Sequence, residues 1–303
     1  MSTGPRPSPV AVAAAFGAIY VLWGSNFLAI RIAVETIPPF LLMGARSLVA
    51  GIILLGWALA REGRPFRREH WYGAAGVGTL LFLVGHGGLA WAQQHVPSGV
   101  AALVMATIPI WMVLLEWRLL GAPRPGAATW VGLALGLAGI ALLVGSGHGG
   151  NGAGTPLGPA LVLMASAFGW AAGSVGSRLV PTPPSVAAAT GLQLVVGGIL
   201  LLVAAMAAGE LSPAPVVSAR SLLAMAYMVV AASLVSFTAY VWLLRVSTPG
   251  RVSSYAFVNP VVAVFVGWAI GGEAVTPRTV VAAAVIVLGV ILIVSTRSRA
   301  TRA

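Results

Sequence analysis

Residues 10–30 read VAVAAAFGAIYVLWGSNFLAI, twenty-one positions without a charge, closed by Arg31. About 20 mostly apolar residues make an α-helix long enough to cross the hydrocarbon core of a bilayer. The pattern returns near 39–60, 71–92, 98–119, 127–145, 157–178, 185–208, 221–243, 250–270 and 278–295. The breaks carry turn residues and charges: Pro38-Pro39, Arg61 to Glu69, Gln93 to Pro97, Gly121 to Pro125. The expected fold is an all-α integral membrane protein of ten transmembrane helices.

Composition agrees across the 303 residues: 59% are hydrophobic, 8% are charged, and mean hydropathy is +0.97. A soluble domain carries about 25% charged residues, so a water-solvated enzyme is excluded. All 17 basic residues are Arg and all six acids are Glu; Lys, Asp and Cys are absent. A Walker A loop needs its Lys, an intramembrane aspartyl protease its two Asp, and a thiolate metal or redox site its Cys. No cofactor or metal is expected. The bias toward Ala, Gly and Arg is also what a GC-rich genome produces.

The net charge of +11 would point to nucleic acid in a soluble protein. Here it reports topology, because cytoplasmic loops of membrane proteins collect Arg. With the N-terminus inside, thirteen Arg fall on the cytoplasmic side, including Arg61, Arg64, Arg67 and Arg68. Three, Arg31, Arg220 and Arg278, fall outside, and Arg46 lies within a span. Both termini are expected in the cytoplasm, with the first span a retained signal anchor in the inner (plasma) membrane. The expected partners are the lipid bilayer and a small-molecule substrate, and no nucleic acid.

Shifted by 147, Trp23 falls on Trp170, Ala18 on Ala165 and Arg31 on Arg178, with Pro38-Pro39 near Pro183-Pro184. Shifted by 151, Trp91 falls on Trp242, Gly99 on Gly250 and Pro109 on Pro260. Residues 1–150 and 151–303 therefore read as two copies of a five-helix unit. Five is odd, so the second copy enters the membrane inverted, an arrangement that places a site near the midplane between the halves.

The run Trp23-Gly24-Ser25-Asn26, Arg31, Pro38-Pro39 and Arg46 resembles the start of an EamA-type exporter of the drug/metabolite transporter superfamily. So does Pro249 to Pro260, with its Ser253 to Pro260 core, and the Gly-Gly-Glu ending at Glu273. The resemblance covers nearly the whole chain and is to the ten-helix exporters. It implies a basket-shaped bundle around a central cavity lined by helices 1, 3, 4, 6, 8 and 9. It also implies efflux of small metabolites of the amino acid, nucleobase or organic cation class. Ala122 stands in the first half where Glu273 stands in the second, a departure from the pattern.

Polar groups inside spans are the candidate site. Arg46 lies about 10 Å into its helix and needs water or a partner there. It reads either as a cationic wall that attracts a carboxylate, or as a structural Arg bonding carbonyls or snorkelling toward Glu35. His86, among Gly85, Gly87 and Gly88, reads either as a proton relay or as a neutral histidine at a helix contact. Tyr20, Trp23 and Phe27 share one helix face, Ser233, Ser236 and Tyr240 another, and Tyr255 and Asn259 stand one turn apart before Pro260. Asn26 and Trp170, the Trp23 counterpart, complete the set. Pro109 and Pro260 each remove a helix donor one turn on from a carbonyl, as at transport sites. Glu116 reads as a local ion pair with Arg118. Gly132 and Gly136 mark a close helix contact or a homodimer face.

The function expected is a secondary active transporter exporting a small metabolite or drug-like molecule by alternating access, driven by a gradient or by exchange. The alternative is a lipid flippase or passive channel in the same fold. A Ser–His intramembrane hydrolase using His86 with Ser25 or Ser174 is a remote third, since neither Ser stands on a nucleophile elbow.

Overall fold

The computed structural model describes residues 8–63, 67–144, 155–183, 185–247, 252 and 254–300. The expected boundary at 150 and 151 lies outside the described residues, as do Arg6, Arg64, Pro249 to Arg251, Ser253 and Arg302. Among the described residues the chain is helical between its turns, with one bridge joining Val144 to Thr155.

The helices are α1 (Pro9–Ala33), α2 (Pro39–Glu62), α3 (residues 68–92), α4 (residues 98–119) and α5 (Ala127–Leu143). Then follow α6 (Leu157–Gly176), α7 (Val186–Ala207), α8 (residues 219–246), α9 (Tyr255–Ala269) and α10 (Pro277–Ala300). Among the described residues seven are long and apolar enough to cross a membrane, and three shorter apolar helices lie at 127–143, 255–269 and 277–292. The 25 residues of α1 rise about 37 Å. Large apolar side chains such as Ile52, Leu223, Phe265 and Trp268 are exposed, as expected where the surrounding solvent is hydrocarbon.

Proline and glycine set the ends. Pro9 and Pro39 begin their helices, where the missing N–H costs nothing. Gly272 stops the chain after α9 with φ of 65°, a conformation that tolerates no Cβ cheaply.

Two helices are irregular along most of their middle turns. α3 is α-helical over Arg68–Gly78, π-helical over Thr79–Gly87, and α-helical again over Gly88–Ala92. α8 repeats the sequence of states, with α over Ala219–Tyr227, π over Met228–Val235 and α over Ser236–Val246. The expectation at the prolines divides. Pro109 coincides with an interruption of α4 between Ser98–Met105 and Ile108–Leu119. α9 runs unbroken through Pro260.

Small residues decide which helices touch. α2 and α7 meet at four glycines: a methyl on Gly51 would lie 2.8 Å from the Val195 nitrogen, and one on Gly191 the same distance from that of Leu55. A methyl on Gly198 would lie 2.9 Å from the Leu48 nitrogen, and one on Gly44 2.7 Å from the Leu202 side chain. Backbone contact of this kind drives helix association where burial of apolar surface gains nothing. Gly132 and Gly136 serve the same purpose inside the chain, where a methyl on Gly289 of α10 would sit 2.7 Å from the Gly132 carbonyl.

Candidate functional site

Gly24 of α1 lets α9 close in, since a methyl there would lie 2.6 Å from Val262 and 3.2 Å from the Asn259 carbonyl. That approach brings three rings together. Trp23 meets Tyr255 edge-on at 5.1 Å and Tyr240 at 5.4 Å, and the two tyrosines lie 6.0 Å apart. Tyr20 extends the cluster through its hydroxyl, which bonds the Ser254 hydroxyl. All four aromatics are half-buried, and their contacts join α1, α8 and α9.

The π segments account for the polar contacts around these rings. A π turn takes carbonyls out of the α-helical ladder, and a neighbouring helix supplies their donors. The Trp23 indole donates to Ala232 O at 3.0 Å, from α1 to the π segment of α8. The Ser166 hydroxyl of α6 lies within donating distance of two carbonyls, Val162 O of its own helix at 2.8 Å and Val84 O in the π segment of α3 at 3.1 Å. On that second side His86 packs against Trp170 at 4.8 Å and Phe82 at 5.3 Å. His86 Nδ1 is shielded and has no hydrogen-bond partner among the described residues.

Arg46 is buried, with 7% of its surface exposed. Its Nη2 donates to the Ser233 hydroxyl of the α8 π segment at 3.4 Å, and its Nη1 approaches Met43 Sδ at 3.7 Å. Its helix packs against the π segment of α3 that carries His86. Glu35, one of its expected partners, pairs with Arg220 at 3.3 Å. Ser236 is fully buried and donates to Ala231 O at 2.8 Å, so its proton is spent within its own helix. Asn26 and Asn259 each hold a shielded side-chain oxygen without a partner among the described residues.

Seven of the ten expected residues thus fall into three groups: Tyr20, Trp23, Tyr240 and Tyr255 in one cluster, His86 with Trp170 in a second, and Arg46 on Ser233. Ser25 and Ser174 bond elsewhere, Ser25 to the Tyr227 hydroxyl at 2.7 Å and Ser174 to Trp170 O at 2.7 Å.

The pairing of Glu116 with Arg118 is corrected. Glu116 is buried and binds Arg178, in the turn after α6, at 3.1 Å, while Arg118 lies over the Trp117 ring. Arg118 stands only two positions on from Glu116, and such neighbours diverge around a helix.

Sequence reasoning misses a second polar belt, at the end of the bundle where α2 and α4 begin. There Glu210 accepts from the N–H groups of Phe40 and Leu41 at 3.2 and 2.8 Å. Glu273 accepts from those of Ser98 and Gly99 at 2.6 and 3.2 Å. Each carboxylate, carried by residues after 155, caps a helix that lies before 144. Arg31 performs the complementary task, donating to the carbonyls of Gln93 and Gln94 at 2.6 and 3.0 Å where α3 ends. A cavity of about 240 Å³ opens here, lined by Arg31, Glu35, His95, Arg220 and Glu273, and none of the ten expected residues reaches it.

Apolar helices with polar groups held inside them define a multi-pass membrane protein. The chain belongs to the EamA-like transporter family, whose model matches residues 10–145 and again 157–295. It is 41% identical over 279 residues, 91% of this chain and 88% of the relative, to the uncharacterized inner membrane transporter YedA of Escherichia coli strain K12. It is 26% identical to the uncharacterized transporter YvbV of Bacillus subtilis strain 168, covering 94% of this chain and 92% of that one. Protein PecM of Dickeya dadantii is 29% identical, over 82% and 80% of the two chains. A solved crystal structure 23% identical in sequence shares the fold with a TM-score of 0.61, covering 94% of this chain and 96% of that one.

Proposed function

We propose that this membrane transporter is a secondary exporter of a small metabolite, built from ten spans as two inverted five-helix repeats and working by alternating access. The observation that carries the reading is the pair of π segments. They begin 149 residues apart, at Thr79 and Met228, each midway along its helix. Each is met by a polar side chain from the first helix of the other group of five, the Ser166 hydroxyl of α6 beside Val84 O of α3 and the Trp23 indole of α1 on Ala232 O of α8. Three further observations agree. The family model matches twice. Among the described residues seven long and three shorter apolar helices make ten. Gly44 and Gly51 stand 147 residues before Gly191 and Gly198, with which they share the α2–α7 contact.

Irregular helix turns inside a membrane are tolerated where neighbours resupply the hydrogen bonds. Two such turns in register suit halves that rock against each other about a shared middle. The distribution of Arg supports cytoplasmic termini, and the name of the YedA relative supports the inner membrane. On this orientation Glu210, Glu273 and the 240 Å³ cavity face outward. On the same reading the Trp23–Tyr240–Tyr255 contact, deeper along α1 than the cavity-lining Arg31, is where the path would be closed.

The test compares the medium of cells making this protein with that of vector cells by mass spectrometry. Counterflow in liposomes then follows for whatever is enriched outside. Saturable, trans-stimulated flux supports the exporter. Flux that rises linearly with concentration means a channel, and scrambling of labelled lipid means a flippase; either overturns the proposal.

A further inference from the structure

Arg46 is a buried cation that no side-chain carboxylate of this chain can neutralise. The chain holds six Glu and no Asp. Glu35 is taken by Arg220, Glu69 by Arg67 and Glu116 by Arg178, at 3.1 to 3.5 Å. Glu210 and Glu273 cap α2 and α4. Glu62 stands sixteen residues beyond Arg46 on the same helix, about 24 Å along the axis, which two side chains on one helix do not bridge.

What Arg46 does touch is neutral and weak, a serine hydroxyl at 3.4 Å and a thioether at 3.7 Å. A guanidinium offers five N–H donors in a planar fork that matches a carboxylate with two parallel bonds. Charges inside membrane proteins face the bundle interior or a water-filled cavity and mark substrate or ion pathways. The π segment of α3, against which α2 packs, describes what could flank that ligand. His86 presents an unpartnered nitrogen, and the rings of Phe82 and Trp170 pack around it.

We propose that Arg46 anchors the substrate and that the substrate is a small organic carboxylate, its anionic group on the guanidinium and its apolar or aromatic body toward the Trp170 side. The assignment rests on the transport reading above and narrows it. Of the classes the resemblance implies, organic cations are excluded, because a second positive charge would be desolvated beside the first. The position corresponding to Arg46, shifted by 147, is Gln193, so the repeat places this charge on one side only.

The test uses the purified full chain in detergent and reads ligand-induced shifts in Tm. The probes are acetate, benzoate and phenylacetate, the amide of each, and benzyltrimethylammonium. At least one carboxylate is expected to stabilise the protein saturably, about tenfold more tightly than its amide, in keeping with the greater strength of charge-assisted bonds. Arg46→Gln is expected to erase that preference. Arg46→Lys is expected to keep it with weaker binding, because the charge survives and the fork does not. The carboxylate–amide comparison in the unaltered protein needs no variant, so a poorly folding Arg46→Gln leaves the test intact.

The proposal is overturned if every carboxylate binds no better than its amide, if benzyltrimethylammonium binds instead, or if Arg46→Gln retains the preference. Counterflow of the bound carboxylate in liposomes separates the two readings. Binding without flux keeps the Arg46 site and rejects transport. Flux of the cation without carboxylate binding rejects the site and keeps transport.

Discussion

Removing the Glu273 carboxylate tests whether a single side chain fastens α4 to the turn after α9. Ser98 is fully buried and Gly99 is buried, so their N–H groups have no water to fall back on. Both donate to Glu273. A hydrogen bond to a charged acceptor is worth about 1.5–3 kcal/mol, and the helix dipole favours an anion there by roughly 0.3–1 kcal/mol. The two bonds share one carboxylate and do not add in full. Glu273→Ala should therefore cost about 2–4 kcal/mol, and Glu273→Gln, which keeps one oxygen, about half of that. The assay is thermal unfolding in detergent, where such a loss lowers Tm by roughly 3–6 °C for a chain of this size. The control is Glu69→Ala. Its partner Arg67 is largely exposed, and exposed pairs contribute only about 0–1 kcal/mol. If Glu273→Ala costs no more than Glu69→Ala, the carboxylate is a solvated surface group and the capping argument fails.

The remaining predictions concern other contacts. Gly51→Ala places a methyl 2.8 Å from the Val195 backbone and should destabilise by about 1–3 kcal/mol, read as a drop in Tm; Gly56→Ala, with open space around it, should not. Trp23→Phe keeps the ring contacts but removes the donor to Ala232 O. It should cost about 1–3 kcal/mol in the same assay, and an unchanged Tm would show that the α8 π segment does not depend on α1. Arg178→Ala should be more damaging than its 60% exposed side chain implies, since it takes a cationic partner from the 8% exposed carboxylate of Glu116. Glu116→Gln in the same chain should recover part of that loss, and no recovery would refute the pairing.

The helices were legible because each is a long apolar run between Pro, Gly and charged breaks, and in a bilayer that pattern has few other outcomes. The motif residues were legible as positions but not as roles. Arg31 closes the end of α3, and the Gly271-Gly272-Glu273 turn aims a carboxylate at α4 from 175 residues away in sequence. No local pattern encodes a bond of that separation. The same holds for Glu116, whose near neighbour in sequence is not its neighbour in space. The π segments leave no signature in composition, because the extra residue per turn shifts the phase of an almost wholly apolar surface. The seven-residue spacing from Gly44 to Gly51, repeated from Gly191 to Gly198, is a signal that the sequence carries. It marks the α2–α7 contact in advance of any coordinates.

On the proposed duplication, the shared features and the unshared ones do different work. The glycine contacts, the π segments and the indoles at 23 and 170 recur in both halves, and all of them concern how helices pack and where a ladder is broken. Arg46 against Gln193 and Glu273 against Ala122 differ between halves, and these are charges. A rocking frame benefits from symmetry, since two similar end states then lie close in energy and a modest bias moves the population between them. A ligand has no such symmetry, and a charged ligand least of all. Two guanidiniums facing one small carboxylate would leave one of them unpaired in the membrane interior, at a cost of several kcal/mol. One Arg on one side avoids that penalty. The deviation from the repeat is therefore the place to look for specificity, and it points to Arg46 before any of the aromatic residues that the halves hold in common.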